Sequence, residues 1–171
     1  NYHIVTDVTT FYPEGGGQIG DTGKIVSSSE EIHVIDTFKD SADIIHLTKN
    51  LPSNIESQVK LKISKDRRSL IEANHTSTHL LHQALRLILG EHVEQRGSMI
   101  SEEMFRFDFS HPSKLSNSDL DSINSFVNSK IKESIPLVEN RDEDYNTAIK
   151  NGAIGLFTEK YEDKVRTVKF N

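Results

Sequence analysis

Asp66–Leu89, DRRSLIEANHTSTHLLHQALRLIL, is the stretch that decides the fold class. Its apolar residues recur at helical spacing, with Leu81, Leu85 and Ile88 forming one strip, and Gly90 follows as a stop signal. The sequence upstream has a different rhythm. Short alternating runs at Tyr2–Thr9, Thr22–Val26, Ile32–Phe38, Ala42–Leu47 and Gln58–Ile63 are separated by Gly, Ser, Asp, Asn and Pro, the pattern of strands joined by turns. The switch near Lys65 predicts two parts: a small β-rich subdomain over 1–63, built as a small barrel or a strongly twisted sheet, and an α+β core over 64–171.

Downstream, strands are expected at His92–Ile100, Met104–Phe109, Ile135–Glu139 and Val165–Phe170. A helix is expected from Ser116 or Ser118, where Ser116 and Asp119 have capping spacing, and a short one over Glu143–Lys150 ended by Gly152. The helices pack on a largely antiparallel sheet, which makes the core α+β.

Composition narrows the function classes. With 171 residues, 35% of them hydrophobic and 27% charged, the chain can bury a core without staples. It has no cysteine, which removes any disulfide framework and favours a cytoplasmic setting. No apolar run approaches the length of a membrane span, so no membrane partner is expected. A net charge of −6 argues against a broad nucleic-acid platform. Lys60, Lys62, Lys65, Arg67 and Arg68 are the local exception, read as solvated charges or as a phosphate contact. The chain does not open on methionine and has no signal-peptide pattern; it is expected to be a segment of a longer protein.

The chemistry concentrates in Asn74–His82, NHTSTHLLH. His75 and His79 stand four apart and therefore on one helix face, where two imidazoles can reach one metal ion; zinc is the usual partner. His82 follows on the same stripe. Spacing alone leaves two readings open, a metal face or two histidines bordering a core. Thr76 follows His75, so the zinc-protease pattern is absent.

The surrounding sequence carries more. HTSTHLLHQALRLILGEHVEQRGSMISEEMFRFDFSH (residues 75–111), NSFVNSKIKESIPL and NGAIGLFTEKYEDKVRTVKF, together with FYPEGGGQIGDTG upstream, resemble in order and spacing the editing domain of alanyl-tRNA synthetases. The resemblance covers most of the chain. It implies that His75 and His79 are two ligands of a zinc site, and that Gln95 lies in the editing pocket. Thr76, Thr78 and Ser98 join Gln95 as candidate polar partners of substrate. It also implies that Gly15, Gly16 and Gly17 form a loop of the small subdomain. In the family a C-x-x-x-H motif completes the metal site; this chain ends at Asn171 without it, so weak or absent zinc is expected here, and His82 is a poor geometric substitute.

The implied activity is hydrolysis of the ester of seryl- or glycyl-tRNA(Ala), with the acceptor end of tRNA(Ala) and the other domains of the parent synthetase as partners. ATP and magnesium belong to a catalytic core of that parent, which this chain lacks. A free-standing editing protein of the AlaX type and a non-catalytic tRNA-binding module are the alternatives. Threonyl-tRNA synthetases share a related core but not FYPEGGGQIGDTG.

Overall fold

Alternation in the first third produces five strands: β1 (Tyr2–Ile4), β2 (Gly23–Val26), β3 (Glu31–Asp40), β4 (Asp43–Thr48) and β5 (Lys60–Ile63). They form one antiparallel sheet in the order β1-β4-β3-β2-β5. The computed structural model describes residues 1–155 and 162–170, and among these the sheet is open, with β1 and β5 as edges. Of the two forms the sequence allowed, barrel or sheet, the chain adopts the sheet. Within the last quoted block, residues 156–161 lie outside the described residues.

One face of the sheet is apolar. Phe11, Ile25, Ile32 and Val34 form a buried cluster, with Ile4, Val59, Leu61 and Ile63 against it. Ile35 is exposed by the same alternation that buries Ile32 and Val34; a bulge between Val34 and Asp36 then shifts the alternation and turns Thr37 fully inward. The Thr37 hydroxyl donates to the Asp21 carbonyl oxygen at 2.8 Å, which satisfies it inside the core.

β1 is only three residues long, because the chain leaves the sheet after Ile4. It is tied down by His46, which has no exposed surface. Nδ1 lies 3.0 Å from the Ile4 carbonyl oxygen and Nε2 lies 2.8 Å from the Thr9 hydroxyl. Burial holds the His46 pKa below the ordinary value, against the opposing bond to Ile4. The unfolded chain therefore binds a proton that the folded chain refuses. Stability is full above about pH 6.5, the ordinary histidine value. It falls as pH drops below that value and levels off beneath the lowered pKa of the folded state. Buried His82 acts in the same direction, so the contribution of His46 is the part of the slope that His46→Gln removes. Denaturant midpoints measured from pH 8 to pH 5 on both proteins check this; parallel curves would count against it.

Helix α1 (Lys65–Leu89) starts directly from β5. The Ser64 N–H donates to the Thr22 carbonyl oxygen at 2.8 Å, and the Ser64 carbonyl oxygen accepts the first helical bond from Arg68 N–H at 2.9 Å. The helix covers the expected span of Asp66–Leu89. It ends at Gly90, whose φ of 118° suits glycine alone.

A hairpin follows, β6 (Gln95–Ile100) with β7 (Phe105–Phe109). Its first strand begins three residues later than alternation suggested, because Val93 N–H is held in a turn by the Gly90 carbonyl oxygen at 3.2 Å. Helix α2 (Asn117–Lys132) opens on the expected Ser116–Asp119 capping box. The Ser116 hydroxyl accepts from Asp119 N–H at 3.1 Å and the Asp119 carboxylate accepts from Ser116 N–H at 2.9 Å.

β8 (Leu137–Asp144), α3 (Tyr145–Lys150) and β9 (Lys164–Phe170) complete the chain, with β8 antiparallel to β9. β8 starts after Pro136 and runs five residues past the expected Glu139. Asp144 then caps α3, accepting from Thr147 N–H at 2.8 Å.

The chain divides into two compact units. One comprises Asn1–His79 and Arg96–Asp108; the other comprises Leu80–Gln95 and Phe109–Asn171. No described helix is long and apolar enough to cross a membrane.

Candidate functional site

The first unit brings the glycine-rich block and the histidine helix together. Gly16 and Gly17, at φ 59° and 84°, turn the chain sharply. After this turn, Ile19 N–H donates to the Ile100 carbonyl oxygen at 3.1 Å, and Ile100 N–H donates to the Gly17 carbonyl oxygen at 2.7 Å. The loop thus docks on β6 as a strand would. It docks closely: a Cβ on Gly17 would stand 2.3 Å from Ser98 Oγ and 2.6 Å from the Ser98 carbonyl oxygen. Glycine is required there both by backbone angle and by the approach to Ser98.

This docking places Gln18 under helix α1. Gln18 is only 6% exposed, and its Oε1 lies 2.8 Å from His75 Nδ1. His75 in turn stacks on His79, ring centroids 5.2 Å apart and planes 17° from parallel. His75 is half-buried and His79 exposed. Helical spacing puts the two side chains on one face, one turn apart. Ser98, Gly17, Gln18, His75 and His79 form a continuous series within this unit.

Two arginines at the start of α1 clamp the same segment. Arg67 donates from Nη1 to the Gly20 carbonyl oxygen at 2.8 Å and from Nε to Glu102 at 2.8 Å. Arg68 meets the carboxylate of Asp21 with Nε and Nη2, the Nε bond being 2.9 Å. The Asp21 side chain is 3% exposed. Asp21 also accepts from Tyr12 N–H at 2.8 Å. The Asp21 bond holds the Arg68 pKa above its already high range; the Arg67 bond holds Glu102 below the usual carboxylate range. Two members of the basic cluster, 20% and 21% exposed at their side chains, therefore hold the glycine-rich segment to the helix. Asn74 adds a bond from its side-chain amide to the Ser101 carbonyl oxygen at 2.8 Å.

The remaining candidate residues are distributed unevenly. Thr76 is half-buried on α1 in the first unit. Thr78 is 5% exposed and its hydroxyl donates to the His75 carbonyl oxygen at 2.7 Å, a bond that supports the helix. Ser98 lies in the first unit against Gly17. Gln95 opens β6 but belongs to the second unit. His82 is also in the second unit and 5% exposed; burial lowers its pKa, against a bond with the Val93 backbone.

Gln18 escaped sequence reasoning, which took its block as a turn-forming loop. The available signal was a long amide directly after three glycines, but its partner lies 57 residues away.

The donor set bears on zinc. With Gln18 Oε1 at hydrogen-bond distance from Nδ1, a His75 protonated on that nitrogen would carry its lone pair on Nε2, the state a ligating histidine needs. His75 therefore fits a ligand role, and His79 on the same face can join it. Among the described residues, no group of three or more His, Cys, Asp or Glu side chains is arranged to hold a metal ion. The pair thus fits as two donors of a site that needs more.

Comparison with known proteins places these features. The model of class II (A) tRNA synthetases matches residues 1–68. An alanine–tRNA ligase of Christiangramia forsetii is 51% identical over 170 residues, 99% of this chain and 20% of that protein. The alanine–tRNA ligase of Bacteroides fragilis is 47% identical, over 99% of this chain and 19% of its own length. That of Chlorobium chlorochromatii is 40% identical, over 97% of this chain and 20% of its own length. The chain spans about a fifth of the length of the curated relatives it matches.

Proposed function

We propose that this chain is part of an alanine–tRNA ligase, the protein its relatives are named as, and that it carries the editing function, hydrolysing the ester of seryl- or glycyl-tRNA(Ala). The observation that supports this most is the convergence of a buried glutamine, two stacked histidines and a tightly docked glycine loop within one unit. A structural helix face needs no such arrangement.

The need for a second site is physical. A synthetic pocket shaped for alanine discriminates weakly against glycine, one methyl smaller, and against serine, which adds a hydroxyl. An editing pocket inverts the test by giving the serine hydroxyl polar partners that alanine leaves unsatisfied. Gln95, Thr76, Thr78 and Ser98 are the residues proposed for that role, with Gln95 foremost, since an amide can both donate and accept. The acceptor end of tRNA(Ala) and the other domains of the ligase are the proposed partners. ATP and magnesium belong with the ligation reaction elsewhere in the parent.

His75 and His79 would hold zinc, weakly by themselves because two imidazoles are an incomplete set. Zinc bound there would orient the ester or activate water for attack. The residues of the chain do the rest: Gln18 orients His75, and Arg67 and Arg68 hold the loop that carries Gln18.

The test is deacylation of seryl-tRNA(Ala) and alanyl-tRNA(Ala) by the full-length ligase. The wild type is expected to hydrolyse the serine ester far faster. Gln95→Ala should narrow that preference by about 1–3 kcal/mol, the cost of one unsatisfied buried polar group. A wild-type ligase that binds both tRNAs and leaves the serine ester intact would remove the editing reading and favour a binding module.

A further inference from the structure

We propose that Gln18 is a positioning residue that locks His75 in its Nδ1-protonated tautomer, so that Nε2 is the nitrogen offered to the site. The inference rests on the reading above that His75 serves the hydrolytic site.

Three observations carry it. First, Gln18 Oε1 stands 2.8 Å from His75 Nδ1. A carbonyl oxygen only accepts, so the facing ring nitrogen must donate. A neutral imidazole has one N–H, and placing it on Nδ1 leaves the lone pair on Nε2.

Second, Gln18 is held by its backbone on both sides. Its N–H donates to the Gly15 carbonyl oxygen at 3.0 Å, and its own carbonyl oxygen accepts from Gly15 N–H at 3.0 Å. It bridges to Ile100, and its neighbours Gly17 and Ile19 bond to the same residue. The amide is thus presented from a docked loop, and ordering it on binding has little left to cost.

Third, Gln18 is 6% exposed. Water competes poorly for His75 Nδ1, and a buried amide oxygen deprived of a donor would be penalised. The alternative tautomer would set the Nδ1 lone pair against that oxygen, two acceptors face to face. The arrangement matches the general use of an outer carbonyl or carboxylate to orient a ligating histidine.

The consequence reaches His79. A ring fixed at Nδ1 keeps its plane, and the stack at 17° between planes then sets where the second imidazole can lie. Loss of the Gln18 amide should disturb both rings.

Long-range 1H–15N correlation spectra of the 171-residue chain read the tautomer directly. Wild type is expected to show His75 protonated on Nδ1. Gln18→Leu should shift the population toward the Nε2-protonated form that free imidazole side chains prefer. Gln18→Glu, which keeps an accepting oxygen, should preserve the wild-type state.

An Nε2-protonated His75 in wild type overturns the proposal, as does a folded Gln18→Leu chain with an unchanged tautomer. Should Gln18→Leu fail to fold, the wild-type spectrum and Gln18→Glu decide. The two readings separate cleanly. A ligase that deacylates seryl-tRNA(Ala) with the opposite tautomer keeps the editing function and loses this inference. The expected tautomer in a ligase without deacylation does the reverse.

Discussion

Replacing Asp21 by alanine is expected to cost about 3–5 kcal/mol of folding stability, the usual penalty for stranding one partner of a buried ion pair. The Asp21 side chain is 3% exposed, against 21% for Arg68. Its carboxylate receives two guanidinium nitrogens and the Tyr12 N–H. Alanine leaves Arg68 with only the more distant and exposed Glu72 carboxylate, at 3.6 Å, and the Tyr12 donor without its acceptor. Asp21→Asn keeps an acceptor for Tyr12 and loses only the charge, so its loss should be smaller. Asp21→Leu combined with Arg68→Met removes both charges and should recover part of the single-variant loss, because an apolar pair incurs no charge desolvation. Urea unfolding of the four proteins measures this. A change below about 0.5 kcal/mol for Asp21→Ala, the range of ordinary surface substitutions, would show that the clamp is dispensable.

The effect should extend beyond stability. Asp21 lies three residues from Gln18, and Arg67 grips Gly20 between them. Releasing that segment loosens the loop that carries the His75 partner. On the proposed mechanism, Asp21→Ala at a temperature where the ligase remains folded should also slow deacylation.

The second large effect concerns His79. On the proposed editing function, His79→Ala in the full-length ligase is expected to slow deacylation of seryl-, glycyl- and alanyl-tRNA(Ala) alike, by on the order of 100-fold or more. Metal-dependent polarisation contributes several kcal/mol to such reactions, and each 1.36 kcal/mol is tenfold in rate. His79 is exposed, so the substitution should leave unfolding midpoints nearly unchanged. This separates it from Gln95→Ala, which should alter the ratio between substrates more than the overall rate. Bound zinc, measured by chelator release, should fall with the rate. An unchanged rate in His79→Ala would exclude the histidine pair from the chemistry, whatever the fate of Gln95.

Local order was legible in the sequence. The helix over Lys65–Leu89, its end at Gly90 and the capping box at Ser116 follow from bonds between residues at most four apart. Alternation likewise located the strands of the first sheet, because inward and outward residues differ in polarity along each strand itself. The histidine pair was legible for the same reason, since helical spacing alone puts His75 and His79 on one face.

What joins these elements was decided only in three dimensions. The strand order β1-β4-β3-β2-β5 and the bulge that turns Thr37 inward depend on which edges meet. Arg67 and Arg68 read as solvated charges or a phosphate contact; the fold brings Gly20, Asp21 and Glu102 within their reach. Gln18 read as part of a turn until the fold set it 2.8 Å from a histidine 57 residues away. A residue's neighbours along the chain determine its backbone conformation and the face it occupies. The partner of a buried polar group is set instead by how separate segments pack, so the chemistry assigned to Gln18 and Asp21 appears only once the loop is docked against the helix.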